Sequence, residues 1–271
     1  MLNDVLSLFS HAFVQRAFVV GILVSLCAAL LGVILVLKNY SLIGHGLADI
    51  GFAALSLAVA LGLSPLAVSM PVVIVSSFII MAYSQHKGIA GDTAIGIATT
   101  AALAFGIIVT SLSSGFNIDV SNYMFGSILA MEDIDIILGI VLAIVVIGLF
   151  ALFYNRLFLI TCDETFAKAQ GINVLKYQFL VSFLVAITVV IGMRMMGTLL
   201  ISSLIIFPAI SARKLANGFL SLVIVSAVIS VIAFVVGILL SFMLNLPTGA
   251  SIVLSNVIIM LLCSVVGKLR A

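Results

Sequence analysis

Uncharged apolar runs of roughly twenty residues follow one another along almost the whole chain, and short clusters of polar residues interrupt them. A helix needs about 20 such residues to cross roughly 30 Å of hydrocarbon, so this pattern predicts a series of membrane spans. Apolar runs, free of charge except for Asp49 in the second, place them at residues 17–37, 47–61, 65–83, 93–111, 136–154, 177–193, 195–212, 219–244 and 249–267. The last two are separated only by Asn245, Pro247 and Gly249, which punctuate an otherwise unbroken stretch. The runs are continuously apolar and do not alternate, which points to helices and away from a β-barrel. The expected architecture is an all-α polytopic membrane protein of nine spans. It falls to eight if the short segment 47–61 or 195–212 is re-entrant.

Composition agrees with that reading: 65% of the residues are hydrophobic and 7% are charged, too few to solvate a soluble domain. Charge placement then orients the chain. Lys38, Lys87, Arg156, Lys168, Lys176, Arg213, Lys214, Lys268 and Arg270 fall in one set of connections, and the other set holds Arg16 and Arg194. By the positive-inside rule the C-terminus is cytoplasmic and, with nine spans, the N-terminus is outside. The opening segment has an acid at Asp4 and no basic region before its apolar residues, so it reads as a short interfacial helix and not as a cleaved signal. Cys27, Cys162 and Cys263 have no CxxC spacing and suggest neither a disulfide framework nor a thiolate metal site. No phosphate-binding GxxxxGK[ST] loop is present, so any ATP-driven step requires a separate polypeptide. A nucleic-acid partner is not expected.

Against this apolar background the polar residues stand out. His45 and Asp49 lie at the mouth of the second span, and at i and i+4 of a helix they share one face. An imidazole and a carboxylate together suit zinc and are acceptable to manganese or iron, whereas calcium and magnesium want more oxygens. The alternative is structural, with Asp49 paired to His45 or to Lys38. The loop 111–135 carries Asp119, Glu132, Asp133 and Asp135 with no Lys or Arg, either an acidic outer vestibule that gathers cations or simply a loop that must be polar. The interval 155–178 holds TCDETFAKAQGI, where Asp163 and Glu164 follow a Thr able to cap a helix and Gly171 ends it. It reads as a short helix outside the membrane, either a solvated linker or an element that docks on a peripheral subunit.

The remaining polar positions invite ordinary roles. Asp92 stands where a helix N-cap belongs, His86 and Lys87 read as a cytoplasmic turn, and His11 lies near the outer interface. Arg194 is expected to snorkel to headgroups. Met193, Met195 and Met196 are expected to fill space. Ser202, Ser203, Ala209 and Ser211 with Pro208 make a helix suited to close approach, either packing or lining a path.

Six strings, in order, resemble the membrane-spanning permease of bacterial ABC importers for zinc, manganese or iron(II). They are residues 13–58, GDTAIGI, YMFGSIL, CDETFAKAQGI, MGTLLISSLIIFPAISAR and LPTGASIVL. The resemblance covers nearly the whole chain and implies one permease domain over residues 1–271. It implies that the helix carrying Asp163, Glu164, Phe166, Ala169 and Gly171 couples to a cytoplasmic ATPase. It also implies a second permease copy, an extracytoplasmic metal-binding protein, no permanently bound cofactor, and ATP held on the partner. The family commonly has an Asp and a His in a GDxLxHxxxxG pattern, and here GHGLADIGF exchanges them. HGLADIGFAAL resembles the zinc branch more than the manganese branch, so zinc is the first expectation and manganese the second. A siderophore- or cobalamin-type permease is suggested by GLADIG, but that class has a longer chain of ten spans and no reason for a His/Asp pair. A stand-alone channel or secondary carrier lacks support, because no span carries a series of acids for a proton relay.

Overall fold

A computed structural model of the protein describes residues 12–87, 91–112, 133–244 and 246–270. Among the described residues there are eleven helices: α1 (Ala12–Leu37), α2 (Ile43–Ala60), α3 (Pro65–Lys87), α4 (Gly91–Leu112), α5 (Asp133–Leu152), α6 (Tyr154–Cys162), α7 (Glu164–Ala169), α8 (Val174–Met196), α9 (Thr198–Leu215), α10 (Phe219–Leu244) and α11 (Thr248–Arg270). Nine of them are long and apolar enough to cross a membrane, in the order expected from the sequence. The short second and seventh spans are full helices, 18 residues each.

Apolar side chains alone cannot sort these helices, because lipid is as apolar as leucine; close packing between small residues does. Helices α1, α2, α8 and α9 form the centre, and α4 is the least buried of the nine long helices. Helix α1 crosses α9 so closely that a Cβ on Gly32 would lie 2.0 Å from the Ile205 carbonyl oxygen. The same holds where α10 meets α11, with Gly237 facing the backbone of Ile252. Ser202, Ser203, Ala209 and Ser211 are all buried in α9, and the three hydroxyls donate to carbonyls of their own helix. Met193, Met195 and Met196 are buried as space-fillers.

The fifth span ends at Leu152, two residues short of the expected limit, and the chain turns at Phe153 into α6. The sequence placed residues 155–162 in the loop after the fifth span and gave them no helix of their own. In the fold α6 buries Leu157 and Ile160 on one side, while Arg156 stacks 5.6 Å from the Tyr177 ring and bonds its hydroxyl. His86 and Lys87 belong to the last turn of α3 and not to a turn between helices.

Ion pairs define two opposite rims. At one, Arg16 near the start of α1 meets Asp133 at 2.7 Å, and Arg194 at the end of α8 meets Asp135 at 3.4 Å, both acids in the first turn of α5. Arg194 is thus tied to a carboxylate where snorkelling was expected. The other rim gathers the end of α1, the start of α2, α6, α7 and the start of α8, and holds Lys38, Lys168 and Lys176. The two basic residues set apart by the sequence do share one rim.

Candidate functional site: the lysine-rich rim and the His45–Asp49 face

Helix α1 ends in a tight left-handed turn. Asn39 has φ +59°, a conformation Asn tolerates better than most residues, and the amides of Asn39 and Tyr40 bond back to Val36 and Leu35. The chain then enters α2 after Leu42, whose own side chain gives no cap. Asp92 supplies one from outside: its Oδ1 accepts the Leu42 amide at 3.2 Å. Asp92 sits inside the first turn of α4, so the cap expected for its own helix is spent on its neighbour.

His45 lies in the first turn of α2 and Asp49 one turn deeper. His45 Nε2 and Asp49 Oδ2 are 3.7 Å apart, beyond a hydrogen bond, with side-chain exposures of 51% and 11%. The i,i+4 spacing therefore brings an open imidazole and a recessed carboxylate to one point, as the sequence suggested. Lys38 is not the partner of Asp49, because its ammonium is held by Glu164. Two ligands about 2.1 Å from a tetrahedral ion lie roughly 3.4 Å apart, so the pair needs little movement to hold one. Among the described residues no three His, Cys, Asp or Glu side chains gather into a fuller metal site. Among the described residues this point gathers one imidazole and one carboxylate.

Helix α7 is short and closed at both ends. Its cap is Asp163, not the preceding Thr161, whose hydroxyl donates to the Leu157 carbonyl within α6. Asp163 accepts from the Thr165 hydroxyl and the Phe166 amide, and these bonds hold its carboxyl below the usual carboxylate range. At the other end Gly171 has φ +77° and closes the helix, with the Gly171 and Ile172 amides bonding to Lys168 and Ala167. Ala167 is buried as the anchor, and Phe166, Ala169 and Gly171 are exposed.

Glu164 points the other way. Its Oε2 accepts from Lys38 Nζ at 3.2 Å and from Gln178 Nε2 at 3.3 Å, and its Oε1 faces Lys168 Nζ at 3.0 Å. Partial burial alone would push this carboxyl up, but the bond from Lys168 and the charge of Lys38 outweigh it, leaving it below its ordinary value. The sequence grouped Glu164 with Phe166; the fold separates them into an inward and an outward residue. Lys38 was weighed only as a partner of Asp49 and Gln178 was not singled out, since a polar residue at a helix end gives no hint of a partner 126 residues away.

Of the outer acids, Asp133 is bound to Arg16, whereas Asp119 and Glu132 lie outside the described residues, as does His11.

The permease protein ScaB of the manganese import system of Streptococcus gordonii is 30% identical over 92% of this chain and 89% of its own length. The membrane protein ZnuB of the high-affinity zinc uptake system of Haemophilus influenzae is 27% identical over 91% of this chain and 94% of its own. The solved structure of PsaBC from Streptococcus pneumoniae in complex with Fab covers the whole chain at a TM-score of 0.86 and 28% identity. Residues 10–267 match the ABC 3 transport family, and with nine helices among the described residues long and apolar enough to cross a membrane, the chain is a multi-pass membrane protein that belongs to that family.

Proposed function

We propose that this chain is the permease subunit of an ATP-driven importer of divalent metal ions. The observation that carries the reading is the family match across almost the whole chain, and relatives named for manganese and for zinc both align over nine tenths of it. The lysine-rich rim faces the cytoplasm by the positive-inside rule, and there the exposed face of α7, with Phe166, Ala169 and Gly171, docks on a separate ATPase that binds and hydrolyses ATP. The opposite rim receives metal from an extracytoplasmic binding protein. Asp119 and Glu132 with Asp133 form its acidic approach, in which Asp133 must exchange Arg16 for an arriving cation.

His45 and Asp49 are the transit contacts. Two ligands from each of two copies related by a two-fold axis bind strongly enough to offset dehydration and weakly enough to release. The imidazole and the near-tetrahedral spacing favour zinc as cargo. The relatives named for manganese support manganese as the second reading. The test is uptake of labelled zinc and manganese, each in competition with the other, into proteoliposomes containing this chain, its ATPase and its metal-binding protein. ATP-dependent uptake in which zinc outcompetes manganese supports the first reading, and the reverse order supports the second. Uptake without ATP overturns the importer assignment.

A further inference from the structure

The connection between α1 and α2 is held from two sides. Lys38, the last residue before the turn, has only 13% of its side chain exposed and bonds to Glu164 on α7. Leu42, at the far end of the same turn, is held by Asp92 on α4. Between them the Asn39 turn leaves little slack, because the Asn39, Tyr40 and Ile43 amides are all bonded locally. His45 follows within one turn of α2. A displacement of α7 therefore reaches the helix that carries His45 and Asp49 through one charged contact and one stiff turn.

We infer that the Lys38–Glu164 contact is the strut through which movement of α7 is transmitted to the His45–Asp49 helix. This rests on the reading of α7 as the ATPase-docking helix. Lys38 and Glu164 are positioning residues: neither meets metal or nucleotide, and both set where the α2 entrance sits when α7 moves. Gln178 also donates to Glu164, which fixes the carboxylate between α1 and α8 so that it cannot follow Lys38 alone.

The experiment uses the full chain reconstituted with its ATPase and metal-binding protein, and measures metal uptake and ATP hydrolysis on the same vesicles. The variants are Lys38→Gln, Glu164→Gln and the exchanged pair Lys38→Glu with Glu164→Lys. The exchanged pair also carries Lys168→Gln, so that the new lysine has no like-charged neighbour. The expected result for the single variants is retained ATPase and retained hydrolysis, with ions moved per ATP falling on the order of tenfold, the middle of the range for coupling between sites. The exchanged pair recovers most of that ratio. An unchanged ratio in the single variants overturns the inference, and so does a parallel fall of uptake and hydrolysis that the exchange fails to restore. Phe166→Ala tests the docking reading separately: an ATPase that stays bound and fully stimulated there means α7 is not the docking helix, whatever the Lys38 variants do.

Discussion

Asp133 and Asp135 stand two residues apart and each meets an arginine, yet their surroundings give the two pairs different weight. Asp133 is 79% exposed in its side chain and Asp135 9%. An exposed pair contributes about 0–1 kcal/mol, so Arg16→Ala should barely change the melting temperature in detergent. Removing the charge that faces a buried carboxylate leaves that carboxylate without its counter-ion at a cost of about 1–3 kcal/mol, so Arg194→Ala should lower that temperature by several degrees. Equal effects of the two substitutions would contradict the burial argument. The same contrast explains what the sequence revealed at this scale. His45 and Asp49 were legible because four residues on one helix fix a common face before any tertiary contact forms. Arg194, Asp92 and Lys38 were not, because their partners come from other helices, and side-chain chemistry alone does not select among distant acids and amides.

At the scale of elements, periodicity and length determined nearly everything that crosses the membrane, and missed the short rim helix, which at nine residues is too brief for either signal. Residues 155–162 read as the first part of the loop after the fifth span, and the structure makes them, with Tyr154, a separate helix that starts after Phe153. Helix packing yields a sharp expectation from two glycines. Gly32→Ala must push α1 from the Ile205 carbonyl and should cost about 1–3 kcal/mol, whereas Gly148 has nothing within 4 Å of its would-be Cβ, and Gly148→Ala should stabilise α5 by up to about 1 kcal/mol. Thermal unfolding in one detergent compares them directly. For α7 the acids set a pH window. Asp163 and Glu164 are both held below the usual carboxylate range, so their contribution is complete above that range and is lost as pH falls through the depressed values. The ions moved per ATP should therefore be flat from about pH 8 to about pH 5 and fall only in stronger acid, with the ATPase still bound. A loss beginning near neutrality would mean another group governs coupling. Asp163→Ala should weaken retention at all pH values, with Asp163→Asn largely preserving it, because an amide oxygen still accepts the Phe166 amide.

For the whole molecule, the two rims are a geometric finding, and their assignment to the two sides of the membrane rests on nine basic residues against two. Cys162 gives a direct readout, since it is exposed on the lysine-rich rim while Cys27 and Cys263 are buried. A membrane-impermeant maleimide at about pH 8, chosen because burial pushes the Cys162 thiol up, should label inside-out vesicles and spare intact cells. Labelling of intact cells would invert the topology. The account as a whole turns on one claim, that divalent metal passes the His45–Asp49 pair on its way across. The measurement that tests it most directly is ATP-dependent metal uptake by His45→Ala and Asp49→Ala chains whose ATPase remains bound. The account predicts that uptake falls at least about tenfold in each, or that the preferred metal changes, while docking is unaffected. Uptake at the wild-type rate with the wild-type metal in both would remove the pair from the transport path.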